Sequence, residues 1–161
     1  MNPQVLSTTN SVFIAFIASI LIFIMFFGLL VLWLIDGRIK KETALHALFS
    51  SLMAWIFAFM FKTLLPIPRP FRVNGYPPLT LTIPMDSSFP SLHSAVAFAL
   101  ATSVWLHNKN LGFLYIFLAC LVGWGRIESN VHYLPDILFG ALVGIVISVI
   151  IDKLHLFKLV K

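Results

Sequence analysis

Apolar residues come in long unbroken runs along this chain, and the polar residues gather between them. The first run, Val12 to Ile35, contains no charge. As a helix at roughly 1.5 Å per residue it would extend about 36 Å, enough to cross a bilayer core. A second run, Thr43 to Leu65, carries one charge, Lys62, about a turn from its end. After a proline-rich interval, runs at 91–107, 111–127 and 136–151 predict three further crossings. The pattern predicts an all-α fold, an integral membrane bundle of five transmembrane helices, with residues 1–161 forming one domain. The first run could be mistaken for a secretory signal, but no basic region precedes it, it is too long, and no small-residue cleavage site follows, so it is expected to be retained. Met1 to Asn10, short and polar, is expected to fray.

The intervals carry the rest of the information. Asp36 to Glu42 reads as a charged turn in which Gly37 ends a helix. Residues 66–90 hold seven of the nine prolines, so neither a continuous helix nor a central strand can run through them. A structured loop of this length is usually functional; its middle, Arg72 to Pro84, reads equally as a lid or as a substrate-contacting segment. Ser88-Phe89-Pro90 is expected to open the next helix with Ser88 as cap, placing Ser91 and His93 in its first turn. Residues 128–135 form a second polar loop. With five crossings, Arg38, Lys40, Lys41, Lys109, Lys153, Lys158 and Lys161 fall on one face, and Lys62, Arg69, Arg72 and Arg126 on the other. The richer face should be cytoplasmic. The three polar stretches Lys62 to Pro70, Ser88 to His93 and Arg126 to Asp136 then converge on the external or periplasmic face.

Composition agrees with a membrane protein: 60% hydrophobic and only 11% charged. The formal charge of +5 is scattered over loops and helix ends, with no continuous basic stripe, so a nucleic-acid partner is not expected. Cys120, the one cysteine, excludes an intrachain disulfide and a cysteine metal cluster, and is expected to be packed and inert. His46, His107 and His155 fall on the cytoplasmic face and read as interfacial residues instead of ligands. Trp33, Trp105 and Trp124 sit near span ends as belt aromatics do, and Trp55, in mid-span, reads as packing.

Chemistry gathers at three of the junctions. Phosphoryl transfer needs cations or oriented NH groups on the phosphoryl oxygens, a nucleophile in line, and an acid for the leaving oxygen. Lys62, Arg69 and Arg126 supply cations, and the arginines can fork onto phosphate. The first turn after Pro90, with Ser91, offers an anion site. His132 has a carboxylate four residues on, Asp136, which could orient it; His93 has none in its own segment. His132 is therefore the better nucleophile and His93 the better proton donor. Asp86 and Glu128 read as loop carboxylates with a small chance of contacting substrate.

The spacing Lys62-x6-Arg69-Pro70, then Pro90-Ser91-Leu92-His93, then Arg126-x5-His132-x3-Asp136 resembles the type 2 phosphatidic acid phosphatase superfamily of lipid phosphate phosphatases. The resemblance implies an all-α antiparallel helical bundle, in which six membrane helices are common and raise the expected count to about five to six transmembrane helices, and a metal-independent phosphatase without a cofactor. His132 would form a phosphohistidine, Asp136 would orient it, and His93 would protonate the leaving group. Lys62, Arg69, Ser91, Arg126 and the backbone NH of Leu92 would bind phosphate. Leu92 stands where the family usually has glycine, and Gly125 where it has serine. The implied substrate is a lipid phosphate or diphosphate, with undecaprenyl diphosphate first because Arg69-Pro70-Phe71 and Ser88-Phe89-Pro90-Ser91 resemble enzymes acting on it. Phosphatidylglycerophosphate, phosphatidate and lipid A phosphate are alternatives, as is transfer of the phosphoryl group to another lipid. Outside this class stand a non-catalytic lipid-binding or transport protein, which would need only the cations, and vanadate-dependent peroxidase chemistry, which the apolar spans disfavour. The resemblance places the chain in a bacterial cytoplasmic membrane among membrane lipids, and leaves the oligomeric state open.

Overall fold

In hydrocarbon every backbone NH and CO must be paired within its own segment, so apolar runs become helices. The structure, a computed structural model, describes residues 3–35 and 38–154, with side chains described for 10–35 and 41–154. The Asp36–Gly37 turn, His155, Lys158 and Lys161 lie outside the described residues, as do the side chains of Arg38 and Lys40. Among the described residues seven helices appear in order: α1 (Pro3–Ser19), α2 (Leu21–Leu34), α3 (Arg38–Leu64), α4 (Pro70–Asn74), α5 (Leu92–His107), α6 (Lys109–Glu128) and α7 (Leu134–Lys153). α3, α6 and α7 are long and apolar enough to cross a membrane, and α1 with α2 makes a fourth candidate span. α5, 16 residues long, is shorter.

Two expectations near the start of the chain change. The run from Val12 to Ile35 is two helices meeting at 49° around Ile20, not one. The segment expected to fray is helical from Pro3, a residue tolerated in a first turn because its missing NH would be unpaired there anyway.

α5 lies at the centre, packed on α3, α6 and α7. Its buried face is built of small residues: Ala95 and Ala99 meet Ala54 and Ala58 of α3. On the α7 side, a Cβ at Gly144 would lie 2.3 Å from the Ala95 carbonyl oxygen, and one at Gly140 2.5 Å from that of Ser91. Close backbone approach of this kind is how membrane helices gain packing energy when lipid is as apolar as leucine. Because Gly140 and Gly144 follow Ser91, Ala95 and Ala99 in the same order, α5 and α7 run parallel, with both N-termini at one end. That end also receives Lys62 from the C-terminal turn of α3 and Arg126 from that of α6.

The outer surface is apolar. Phe23, Phe27, Phe113, Phe117, Leu138 and Leu142 are each more than half exposed, a surface suited to lipid and not to water. Cys120, expected to be packed, is exposed on this face of α6. Its run is apolar all round, so periodicity could not say which side faces out. His46, expected at an interface, is buried at 3% exposure. Trp55 stacks on Phe59 with centroids 5.5 Å apart and is 43% exposed, so it is not a core residue.

Candidate active site

The site begins with the turn that starts α7. Pro135 stands in the first turn, and Asp136 at the third helical position accepts from the backbone NH of Tyr133 at 2.9 Å. The same oxygen, Oδ2, lies 3.2 Å from His132 Nδ1 and accepts from Ser88 Oγ at 2.5 Å. The other imidazole nitrogen, Nε2, sits 3.2 Å from Nη1 of Arg69. A guanidinium can only donate, so Nε2 carries the lone pair and Nδ1 the proton given to Asp136. Burial pushes His132 down to about 3, opposed by the Asp136 hydrogen bond and reinforced by Arg126, Arg69 and Lys62. The imidazole is neutral at physiological pH, as a nucleophile must be.

The proline-rich loop delivers the cations. Arg69 caps α4 from an extended backbone, with Pro70 in the first turn. Its guanidinium donates to the Val131 carbonyl (2.8 Å), the Asp86 carbonyl (3.0 Å) and Asp86 Oδ1 (2.6 Å). Lys62 Nζ donates to the Ser87 carbonyl and lies 3.4 Å from Asp86 Oδ2. Burial alone would raise the Asp86 carboxyl, but Arg69 and Lys62 hold it below the usual carboxylate range. Asp86 thus lies on the donors an oxyanion would use. The loop is fastened to its neighbour by the Phe71 NH to the Asn130 carbonyl (3.1 Å) and the Leu79 NH to the Ser129 carbonyl (3.0 Å). Asn130 has φ of 61°, a left-handed conformation that asparagine tolerates.

The helix break explains Arg126. Carbonyls in the last turn of a helix have no partner within it, and the break leaves that of Ala18 to accept from Arg126 Nη1 at 3.1 Å. Arg126 Nε is buried without a hydrogen-bond partner among the described residues. A buried guanidinium donor of this kind fits a phosphate oxygen.

At the start of α5, Ser91 and not Ser88 is the cap: its Oγ accepts from the Ser94 NH at 3.3 Å. Ser88 fails as a cap because Pro90 and Ser91 still have to turn the chain, and its hydroxyl goes to Asp136 instead. Ser91 is fully buried beside Ser94 Oγ (3.1 Å) and lies behind the cavity wall. Leu92 and His93 line the cavity itself, and the Leu92 side chain also packs toward the alanine seam of α3 and α5.

A cavity of about 920 Å³ joins these parts. Lys62, Arg69, His93, Arg126 and His132 line its polar end, with Asp86 beside them. Ile22, Phe23 and Phe26 of α2, with Leu48, Leu52 and Trp55 of α3, line the remainder. Leu81, Thr82 and Pro84 also contribute, so the middle of the loop faces the cavity. Five of the expected site residues other than Leu92 therefore meet in one wall, with Asp136 immediately behind His132. Glu128 is exposed and lines no part of it. The sequence reading missed the positions of Ser88, Trp55 and the Ala18 carbonyl and undervalued Asp86. Only Asp86 and Ser88 carried a signal, as polar residues four and two positions before Pro90 of the second motif.

Comparison with known proteins gives the chain relatives of known family. The chain is 30% identical over 130 residues to the bacitracin transport permease protein BcrC of Bacillus licheniformis, covering 81% of this chain and 64% of that protein. It is 27% identical over 120 residues to the undecaprenyl-diphosphatase BcrC of Bacillus subtilis, covering 74% and 62%. The chain thus spans somewhat less than two-thirds of the length of these relatives. The crystal structure of Aquifex aeolicus LpxE superimposes with a TM-score of 0.73 at 26% identity, covering 95% of this chain and 88% of LpxE. The family model of the PAP2 superfamily matches residues 43–158, from α3 to beyond α7 and through all three motif stretches, and the chain belongs to that superfamily.

Proposed function

We propose that the chain is a membrane phosphatase that hydrolyses a lipid phosphate or diphosphate through a phosphohistidine at His132, with undecaprenyl diphosphate as the first candidate substrate. The observation that carries this is His132 Nε2, 3.2 Å from Arg69 Nη1 and meeting the buried Lys62, Arg69 and Arg126 in the wall of a cavity whose remainder is apolar. Nε2 attacks phosphorus as the bond to the leaving oxygen breaks, and His93 gives that oxygen its proton. Asp136, fixed by Ser88 and Tyr133, stabilises the imidazolium through Nδ1. His93, now neutral, takes a proton from water, which attacks the phosphohistidine, releases phosphate and restores both histidines. Lys62, Arg69, Arg126 and the Leu92 NH hold the phosphoryl oxygens, with Ser91 shaping the turn that presents Leu92 and His93. Three cations and a helix terminus bring the charge a metal would otherwise supply. Asp86 is displaced from Lys62 and Arg69 when the phosphoryl group arrives. The groove between α2 and α3 takes the hydrocarbon chain, and the substrate enters from the external leaflet.

A second reading, binding or transport without turnover, has on its side the name of the Bacillus licheniformis relative. Cations alone would serve it. The Ser88–Asp136–His132 chain adds nothing to anion binding and favours turnover.

The test is phosphate release by purified protein, in excess chelator, from undecaprenyl diphosphate, phosphatidylglycerophosphate, phosphatidate and lipid A phosphate. Release is expected in chelator, fastest from the diphosphate. No release from any of them, or release only after magnesium or zinc is restored, would overturn the reading.

A further inference from the structure

At the other end of the bundle, three residues from three helices converge: His46 of α3, His107 at the end of α5 and Asp152 near the end of α7. One potential ligand atom from each lies within 4.8 Å of the other two. The imidazoles pack edge to face with centroids 4.9 Å apart. Each is anchored through one nitrogen to a backbone carbonyl, His107 Nδ1 to Ser103 (2.9 Å) and His46 Nε2 to Ser148 (3.2 Å). A carbonyl only accepts, so the anchored nitrogen carries the proton and the opposite one the lone pair. That is the arrangement by which proteins fix the tautomer of a metal-binding histidine. An ionisable side chain within a membrane helix is costly, and His46 plays no part in the site described above.

We propose that His46, His107 and Asp152 bind a divalent transition-metal ion of the zinc class. Two neutral imidazoles and one carboxylate form a nitrogen–oxygen set suited to zinc, cobalt or nickel, whereas magnesium and calcium favour oxygen alone. In a tetrahedral site with bonds of about 2.0–2.1 Å, ligand atoms lie about 3.3 Å apart, so side-chain rotation closes the present spacing. A carboxylate has lone pairs enough to serve a metal beside another partner, and water completes the fourth position. The ion would tie together the ends of α3, α5 and α7, whose opposite ends carry Lys62, His93 and Asp136. His46 and Lys62 are separated by about 24 Å of helix at roughly 1.5 Å per residue, so the ion takes no part in phosphoryl transfer.

The experiment uses untagged, metal-free full chain in detergent, in a Cys120→Ser background that removes the thiol. Cobalt(II) is expected to give the visible absorption of a four-coordinate ion at one equivalent, with zinc displacing it. Zinc at about a hundred times its Kd should raise Tm by about 5–10 °C. His107→Gln and Asp152→Asn should abolish both responses while keeping the metal-free Tm, and phosphate release in chelator should stay unchanged. Absence of the four-coordinate spectrum, or an equal zinc response in either variant, would overturn the proposal. Neither result depends on whether the other end of the molecule is a phosphatase.

Discussion

His132 is held at both nitrogens, and the two contacts divide its work. Asp136 at 3.2 Å keeps the proton on Nδ1, and Arg69 at 3.2 Å marks where a phosphoryl oxygen would replace imidazole as its partner. In the proposed mechanism His93 has a different burden, which grows with how badly the leaving oxygen needs a proton. His93→Ala should therefore lose about 10²–10⁴-fold on a lipid phosphate and recover much of that on an aryl phosphate with a good leaving group. His132→Ala should be inactive on both, as steady-state assays of the two variants will read. Rescue of His132→Ala but not of His93→Ala would mean the roles are reversed. The charged and histidine positions were legible in the sequence because three spaced motifs reinforced one another. Ser88 was misread because local order alone favoured it as a cap. Its true partner, Asp136, is 48 residues away, a distance no local rule spans.

The helices were legible from length and apolarity, and their faces were not. α2, α5 and α7 are apolar nearly all round, so the period that orients a soluble helix is missing. The same holds for the apolar run of α6, and the exposed Cys120 is a consequence. The bend at Ile20 left no mark either, since neither proline nor glycine stands there; the Ala18 carbonyl it frees meets Arg126, 108 residues away in sequence. Gly125 takes part in the same contact: a Cβ there would lie 2.6 Å from Ile17 Cγ2, which accounts for glycine where relatives of this family usually carry serine. The seam of Gly140 and Gly144 on Ala95 and Ala99 was not read from the sequence, although small residues four apart carried its signal. It sets the spacing between His93 and His132, so Gly144→Val should force α5 and α7 apart. A cost of about 1–3 kcal/mol is expected, visible as a lower Tm in detergent together with lost phosphate release. An unchanged Tm and activity would show that the close approach is not required.

For the whole molecule, alternating helix directions bring the ends of α3, α5, α6 and α7 together at one pole, so a site scattered from Lys62 to Asp136 in sequence becomes one cavity wall. The basic residues expected on the cytoplasmic side support the proposal that this pole lies outside. In a Cys120→Ser background, cysteine at the exposed Tyr76 should react with an impermeant thiol reagent on intact cells, and cysteine at the exposed Asn110 should not. The opposite pattern would place the cavity on the cytoplasmic leaflet and change the substrates it can meet.

The central claim is that the phosphoryl group passes through His132. Rapid quenching of the protein with a lipid phosphate labelled in its terminal phosphoryl group, followed by peptide mass spectrometry under alkaline conditions, tests it most directly. An acid-labile, alkali-stable phosphoryl group on His132, absent from His132→Ala, is the predicted result. Turnover by the wild-type chain with no phosphoenzyme trapped, or with the label on any other residue, would contradict it.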